Sequence, residues 1–226
     1  MAKLNKVCNS SFDLERGVII YGKGNFDPKI IDKSRRPYIA SLNTGATLHE
    51  DEIDFLFLND IDTIHQVQKA PFDFNNINNI ISPIQPHYCM KPHPDYTYNN
   101  ILDIFEQIDI TVYTFRLHSQ KTEIYIDLNK QDNYRFGKIT TVYHTALYWL
   151  LLAGFTRFDI CGVSERGEYQ EEFVKERIAF EKGLVERHAP VKTPDSLFYT
   201  RNYKAGIDIL TMASWFSIKP IIYNIH

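Results

Sequence analysis

Residues 140–163 read TTVYHTALYWLLLAGFTRFDICGV, and this stretch decides the fold. From Thr140 to Ala153 apolar residues stand on nearly every side of a helical projection, so the helix they form is expected to be buried. Thr140 or Thr141 offers a hydroxyl to cap its start, and Gly154 offers the left-handed residue that ends it. Phe158-Asp-Ile-Cys-Gly-Val then has the length and apolar content of a central strand. A buried helix leading directly into a buried strand is the crossover of a parallel sheet, because parallel neighbours cannot be joined by a tight hairpin.

Outward from this unit the same alternation recurs. Toward the N-terminus, residues 17–22, GVIIYG, read as a buried strand ending in a glycine turn. Tyr38-Ile-Ala-Ser-Leu and Asp54-Phe-Leu-Phe-Leu are a second and third strand, each ending in an asparagine, and residues 79–84 are a fourth. Pro83, Pro86, Pro92 and Pro94 turn residues 83–94 into a surface loop. Residues 99–108 have a helical period, 110–115 alternate as a strand, and Ile124-Tyr-Ile is a weaker strand. On the C-terminal side, residues 171–186 and 204–216 read as amphipathic helices, and Ile221-Ile-Tyr-Asn-Ile as a closing strand. The expected fold is therefore α/β: one Rossmann-like domain over 1–226, with a mainly parallel sheet flanked by helices.

Composition bounds the function. With 226 residues, 44% of them hydrophobic, the chain can bury a full core, so disorder is excluded as its main state. A net charge of -3, from 25 basic and 28 acidic residues, gives no overall attraction to polyanions. A local basic face for DNA would have to come from Lys33, Arg35, Arg36, Arg201 and Lys204. Cys8, Cys89 and Cys161 are odd in number and lack metal-ligand spacing, which points to a reducing, cytoplasmic compartment. No stretch has the length of a membrane span or the pattern of a secretory signal. Abundant Ile and Asn are the bias of an AT-rich genome, such as that of a bacteriophage or low-GC bacterium.

In parallel sheets ligands bind beyond the carboxyl ends of the strands, which selects the segments to inspect. Gly22-Lys23-Gly24-Asn25 follows the first strand; glycines admit an anion close to the backbone, N–H groups can bond phosphate oxygens, and Lys23 adds charge. An ordinary β-turn would have the same composition. Asn43 and Asn59 end the next two strands, where a carboxamide can read a base edge or ribose hydroxyl, or simply terminate the strand. Asp60 and Asp62 form an Asp-x-Asp that suits Mg²⁺ or Mn²⁺, or a solvated strand end. No cofactor is firmly implied beyond such an ion. Thr140 and Thr141 stand where a helix N-terminus favours anions, with His144 on the first turn as a general base or a core residue. Ser164, Arg166 and Tyr169 lie in a polar loop after the central strand, and 164–203, including His188, would form a mobile cover.

These segments, in this order, resemble the bacterial sialyltransferases of glycosyltransferase family 42 and the related Rossmann-like hydroxymethylpterin pyrophosphokinases. Gly22-Lys23-Gly24-Asn25 is similar to the family's Gly-x-Gly turn, with Asn25-Phe26 where Pro-Ser is usual. Asn43 and Asn59 fall where the family places asparagines on the nucleotide, and Ile139-Thr140-Thr141 falls on its Ile-Thr-Ser. Gly162-Val163-Ser164 is similar to its Gly-Ile-Asp, with serine in place of the acid. Tyr169 matches one of two phosphate-stabilising tyrosines, and Arg166 would substitute for the other. The family's histidine base would fall near Thr200, where no histidine stands, so His188 and His144 are the candidates.

The resemblance implies a glycosyltransferase-A-like fold and transfer of a sugar from a CMP- or UDP-linked donor to an acceptor hydroxyl. The acceptor would be a glycan or a hydroxylated base in phage DNA, recognised by loops or by a second copy in a homo-oligomer. Two other expectations stand beside it: a Mg²⁺-dependent diphosphate transferase, which would need Asp60 and Asp62, and a non-catalytic nucleotide-binding module.

Overall fold

The computed structural model describes residues 12–58, 74–83, 111–120, 123–127, 133–137, 142–163, 209–210, 212–214 and 218–225. Among them, nine strands form one sheet: β1 (Val18–Tyr21), β2 (Tyr38–Leu42), β3 (Phe55–Phe57), β4 (Asn79–Pro83), β5 (Thr111–Gln120), β6 (Glu123–Asp127), β7 (Asn133–Gly137), β8 (Arg157–Cys161) and β9 (Ile221–Ile225). Their order is β7-β6-β5-β4-β3-β2-β1-β8-β9. Every pair from β5 across to β9 is parallel. The chain steps from β1 toward β5 in one direction, then returns to place β8 on the other side of β1. This reversal makes the topology Rossmann-like and sets the switch point between β1 and β8.

The expected strand at 110–115 is longer than its pattern: β5 runs on to Gln120, its first half paired with β4 from Thr111 to Phe115 and its second half paired antiparallel with β6, the strand expected at Ile124-Tyr-Ile. A third antiparallel strand, β7, follows, although residues 133–137 gave no strand signal. The reason is that NYRFG is only five residues, with a charge at its centre and a glycine at its end, too short and mixed to show a pattern of its own. Pro83 also belongs to the end of β4 instead of opening the loop, and residues 84–94 lie outside the described residues.

Helix α1 (Val142–Leu152) carries the expected buried character: Tyr143, Thr145, Ala146, Leu147, Tyr148, Trp149, Leu150 and Leu151 are all buried. Gly154 ends it with φ +97°, a left-handed value that a side chain would strain. Phe155, just past the helix, packs against Tyr38 at the start of β2, whereas Trp149 reaches Phe57 at the end of β3. The helix therefore runs antiparallel to the strands, and its first turn points toward their carboxyl ends. Residues 209–210 and 212–214 are helical within the expected 204–216 helix, and Ile209, Met212 and Ala213 join the same core.

Strand alternation divides the interior. Val18, Ile20, Phe158 and Ile160 face α1, while Ile19, Tyr21 and Cys161 face a smaller cluster with Ile39, Ala46, Ile53, Leu56 and Ile80 on the other side. No helix among the described residues is long and apolar enough to cross a membrane. The expected helices at 99–108 and 171–186 lie outside the described residues.

Candidate functional site

Four glycines bring three chain segments together at the switch point. The Gly22 N–H donates to the Cys161 carbonyl at 2.7 Å, and the Gly24 N–H to the Gly162 carbonyl at 2.7 Å. A Cβ at Gly22 would lie inside contact distance of the Gly162 carbonyl, and one at Gly24 would lie 2.7 Å from the same oxygen. Gly162 itself has φ +64°, and a Cβ there would meet the Gly22 and Gly24 carbonyls at 2.8 Å. Gly45, after β2, is pressed against the Tyr21 carbonyl in the same way. The ends of β1, β2 and β8 are thus fused backbone to backbone, which only residues without a Cβ permit.

This arrangement changes the reading of the Gly-Lys-Gly turn. The N–H groups of Gly22 and Gly24 were expected to face a phosphate, but both are spent on β8 and the loop after it. The two glycines instead set how closely the β1 turn approaches Gly162, and Lys23 and Asn25 are the residues of that turn that carry side chains. Asn25 is exposed and Lys23 half-buried.

Asn43 stands next to this joint in a left-handed conformation, φ +57°, which asparagine adopts more readily than other residues with a side chain. Its backbone is fixed on both sides: its N–H donates to the Phe57 carbonyl at 3.0 Å, and its carbonyl accepts from the Ser41 hydroxyl at 2.7 Å. Ser41 is fully buried and accepts in turn from the Ala46 N–H at 3.0 Å. The Asn43 side chain is aimed by this backbone, and its Oδ1 is buried with no hydrogen-bond partner. A buried acceptor without a donor from the protein costs free energy, and a ligand N–H or O–H would satisfy it.

Among the remaining expected site residues, His144 is the third residue of α1, half-buried, with its ring 5.7 Å from that of Tyr143. The orientation of α1 puts it toward the carboxyl ends of the strands. Asn59, Asp60, Asp62, Thr140, Thr141, Ser164, Arg166, Tyr169 and His188 lie outside the described residues. So do Arg201 and Lys204 of the expected basic face. Two others of that face are engaged within the fold: Lys33 pairs with Glu50 at 2.7 Å, and Arg35 lies 3.8 Å from Asp159 and 3.7 Å above the Tyr223 ring. No group of three or more metal-binding side chains occurs among the described residues.

Sequence reasoning missed a polar layer beneath the joint. Tyr21 donates its hydroxyl to Glu50, 29 residues away. Burial, reinforced by that hydrogen bond and the charge of Glu50, pushes the Tyr21 phenol well above its ordinary value, so it stays a neutral donor. Cys161 is buried beside it, and burial with the nearby Asp159 and Glu50 charges pushes its thiol up to about 12. No local spacing signals these contacts, because strands far apart in sequence create them. Gly45 was legible only as part of an asparagine-bearing strand end, not as a point of close approach.

Comparison of the chain with family models, with curated proteins and with solved structures returns no match.

Proposed function

We propose that this protein is a transferase that moves a sugar from a nucleotide-linked donor, CMP- or UDP-activated, to an acceptor hydroxyl. The observation that carries the reading is Asn43: a left-handed residue with both backbone groups fixed, whose buried Oδ1 has no partner, set beside the glycine joint at the switch point. Unsatisfied buried acceptors persist where a ligand compensates for them. A ribose hydroxyl or an exocyclic base amine is the donor such a carboxamide accepts. The resemblance of the Gly22–Asn25, Asn43, Thr140–Thr141 and Gly162–Ser164 segments to nucleotide-sugar transferases supports the same assignment.

In this reading Asn43 and Asn59 hold the nucleoside. The diphosphate or monophosphate side of the donor lies at the edge of the glycine joint, next to Lys23 and Asn25. The N-terminal turn of the buried helix, with Thr140 and Thr141, faces the charge that grows on phosphate as the glycosidic bond breaks. The acceptor oxygen forms its bond to the anomeric carbon while the nucleotide leaves with the electron pair. His144 or His188 takes the acceptor proton, and Arg166 and Tyr169 stabilise the departing phosphate.

A thermal-shift panel of CMP, UDP, GDP, ADP and ATP, each with and without Mn²⁺ or Mg²⁺, tests the reading, because a ligand of the folded state raises the melting temperature. Stabilisation by CMP or UDP is the expected result. Stabilisation by ATP with Mg²⁺ alone would replace sugar transfer with diphosphate transfer, and no response to any nucleotide would overturn both.

A further inference from the structure

The turn that carries Asn43 does not stand alone. Gly45, Thr47, His49 and Glu50 close it through N–H bonds to Leu42, Thr44 and Ala46 carbonyls of 2.9 to 3.1 Å. Its far end, His49 and Glu50, reaches back under the glycine joint. The His49 ring stacks on Tyr21 with centroids 5.8 Å apart, and Phe26, just past the Gly-Lys-Gly turn, meets His49 edge-on at 4.7 Å. Tyr21 donates to Glu50 Oε1 from one side, and Lys33 pairs with the same carboxylate from the other. Tyr21 therefore holds both ends of the turn: its carbonyl lies against Gly45 and its hydroxyl on Glu50.

From this geometry we infer that Glu50 is a positioning residue: through Tyr21 and Lys33 it fastens the 43–50 turn to the end of β1, where the 22–26 turn begins, and to the segment that carries Lys33, so that the turn presents Asn43 to the switch point in one position. The inference rests on the proposed nucleotide reading for its functional consequence and on the Tyr21–Glu50–Lys33 contacts for its structural one. The fastening has a chemical logic. A buried phenol with its pKa raised remains a hydrogen-bond donor throughout the neutral range, and a carboxylate accepts from it and from an ammonium at once. Charge-assisted bonds of this kind are stronger than neutral ones, and an aromatic stack beside them leaves the turn few alternative positions. Neither Glu50 nor Tyr21 need touch a ligand; each acts by fixing where Asn43 stands.

Three variants separate positioning from mere stability. Tyr21→Phe removes one hydroxyl and keeps the ring stack, Glu50→Ala removes the acceptor, and Glu50→Gln keeps an acceptor for Tyr21 while losing the charge. Two readouts apply to each: affinity for CMP or UDP by calorimetry, and amide hydrogen exchange across 43–50, with β3 as the internal control. Tyr21→Phe and Glu50→Ala are expected to weaken binding about tenfold, as loss of one charge-assisted hydrogen bond would, and to speed exchange in 43–50 but not in β3. Glu50→Gln, which keeps the bond from Tyr21 but not the ion pair with Lys33, is expected to recover part of both. Unchanged exchange in the first two variants would overturn the inference whatever the ligand, as would unchanged affinity in variants that remain folded. If the wild type binds neither CMP nor UDP, the nucleotide reading fails, and exchange alone then decides whether Glu50 fastens the turn.

Discussion

On the face of the sheet covered by α1, Trp149 packs against Phe55 and Phe57, and Phe155 against Tyr38 and Phe12, in edge-on and tilted arrangements 5.3 to 5.8 Å apart that tie helix to strands. On the opposite face, strand positions that would carry valine or isoleucine in a dry core carry Tyr21, Ser41, Asp159 and Cys161 instead. Their partners are Glu50, the Asn43 carbonyl and Arg35. An aromatic layer tolerates small shifts because its attraction is spread over many contacts. A hydrogen-bonded layer does not, because each bond depends on one distance and one angle. The first face thus supplies cohesion and the second supplies position, and the candidate site is attached to the second.

That contrast can be broken by substitution. The largest effect belongs to the aromatic face: Trp149→Ala, which empties a site only 1% exposed, is expected to lower stability by about 4 kcal/mol in a urea titration. A loss under about 1 kcal/mol would show that α1 is not what holds the sheet. At the seam between strands, Gly22→Ala drives a methyl into the Gly162 carbonyl, and the expected cost is about 3 kcal/mol by the same titration. On the polar face, Asp159→Ala removes the carboxylate from Arg35, whose side chain is 27% exposed and can still reach water, so about 1–2 kcal/mol is expected.

The polar face also predicts a pH dependence of definite sign. Cys161 has a folded pKa raised above its ordinary 9.0, so the unfolded chain ionises first as the solution becomes alkaline. Its contribution is complete below pH 9.0 and is lost as the pH rises toward the folded value of about 12. Tyr21, raised from 10.0, adds a second loss starting one pH unit higher. Stability followed from pH 8 to 10 should therefore decline above pH 9 by about 1 kcal/mol, and Cys161→Ala should flatten that decline. A wild-type profile that is level over this range would contradict the burial of the thiol.

What was legible in the sequence follows the same division. Strands β1, β2, β3, β4, β8 and β9 and helix α1 were readable because each is a compact apolar run with a glycine, proline or asparagine at its end, and local pattern determines them. The antiparallel strand β7 was not, since its only signal is the strand beside it. In the site, Gly22, Gly24, Asn43 and Gly162 were visible as turn residues at strand ends, and the structure brings all four to one joint. Their roles were not visible: that the Gly22 and Gly24 N–H groups serve β8 depends on a strand 140 residues away in the chain from Tyr21, which pairs with Cys161. The Tyr21–Glu50–Lys33 link was hidden for the same reason, being made by the crossing of segments and not by their composition.

The central claim is that the Asn43 carboxamide, with its buried and unpartnered Oδ1, is held at the switch point for a ligand. Asn43→Gly removes the carboxamide and its unpartnered acceptor while suiting φ +57° at least as well, so its stability is expected to equal or exceed that of the wild type. Calorimetric titration of the two proteins with CMP and UDP then gives the most direct test. The account predicts binding by the wild type and a loss of at least about tenfold in the variant, with the melting temperature not lowered. Equal affinity in the two proteins, or no binding by the wild type, would contradict it.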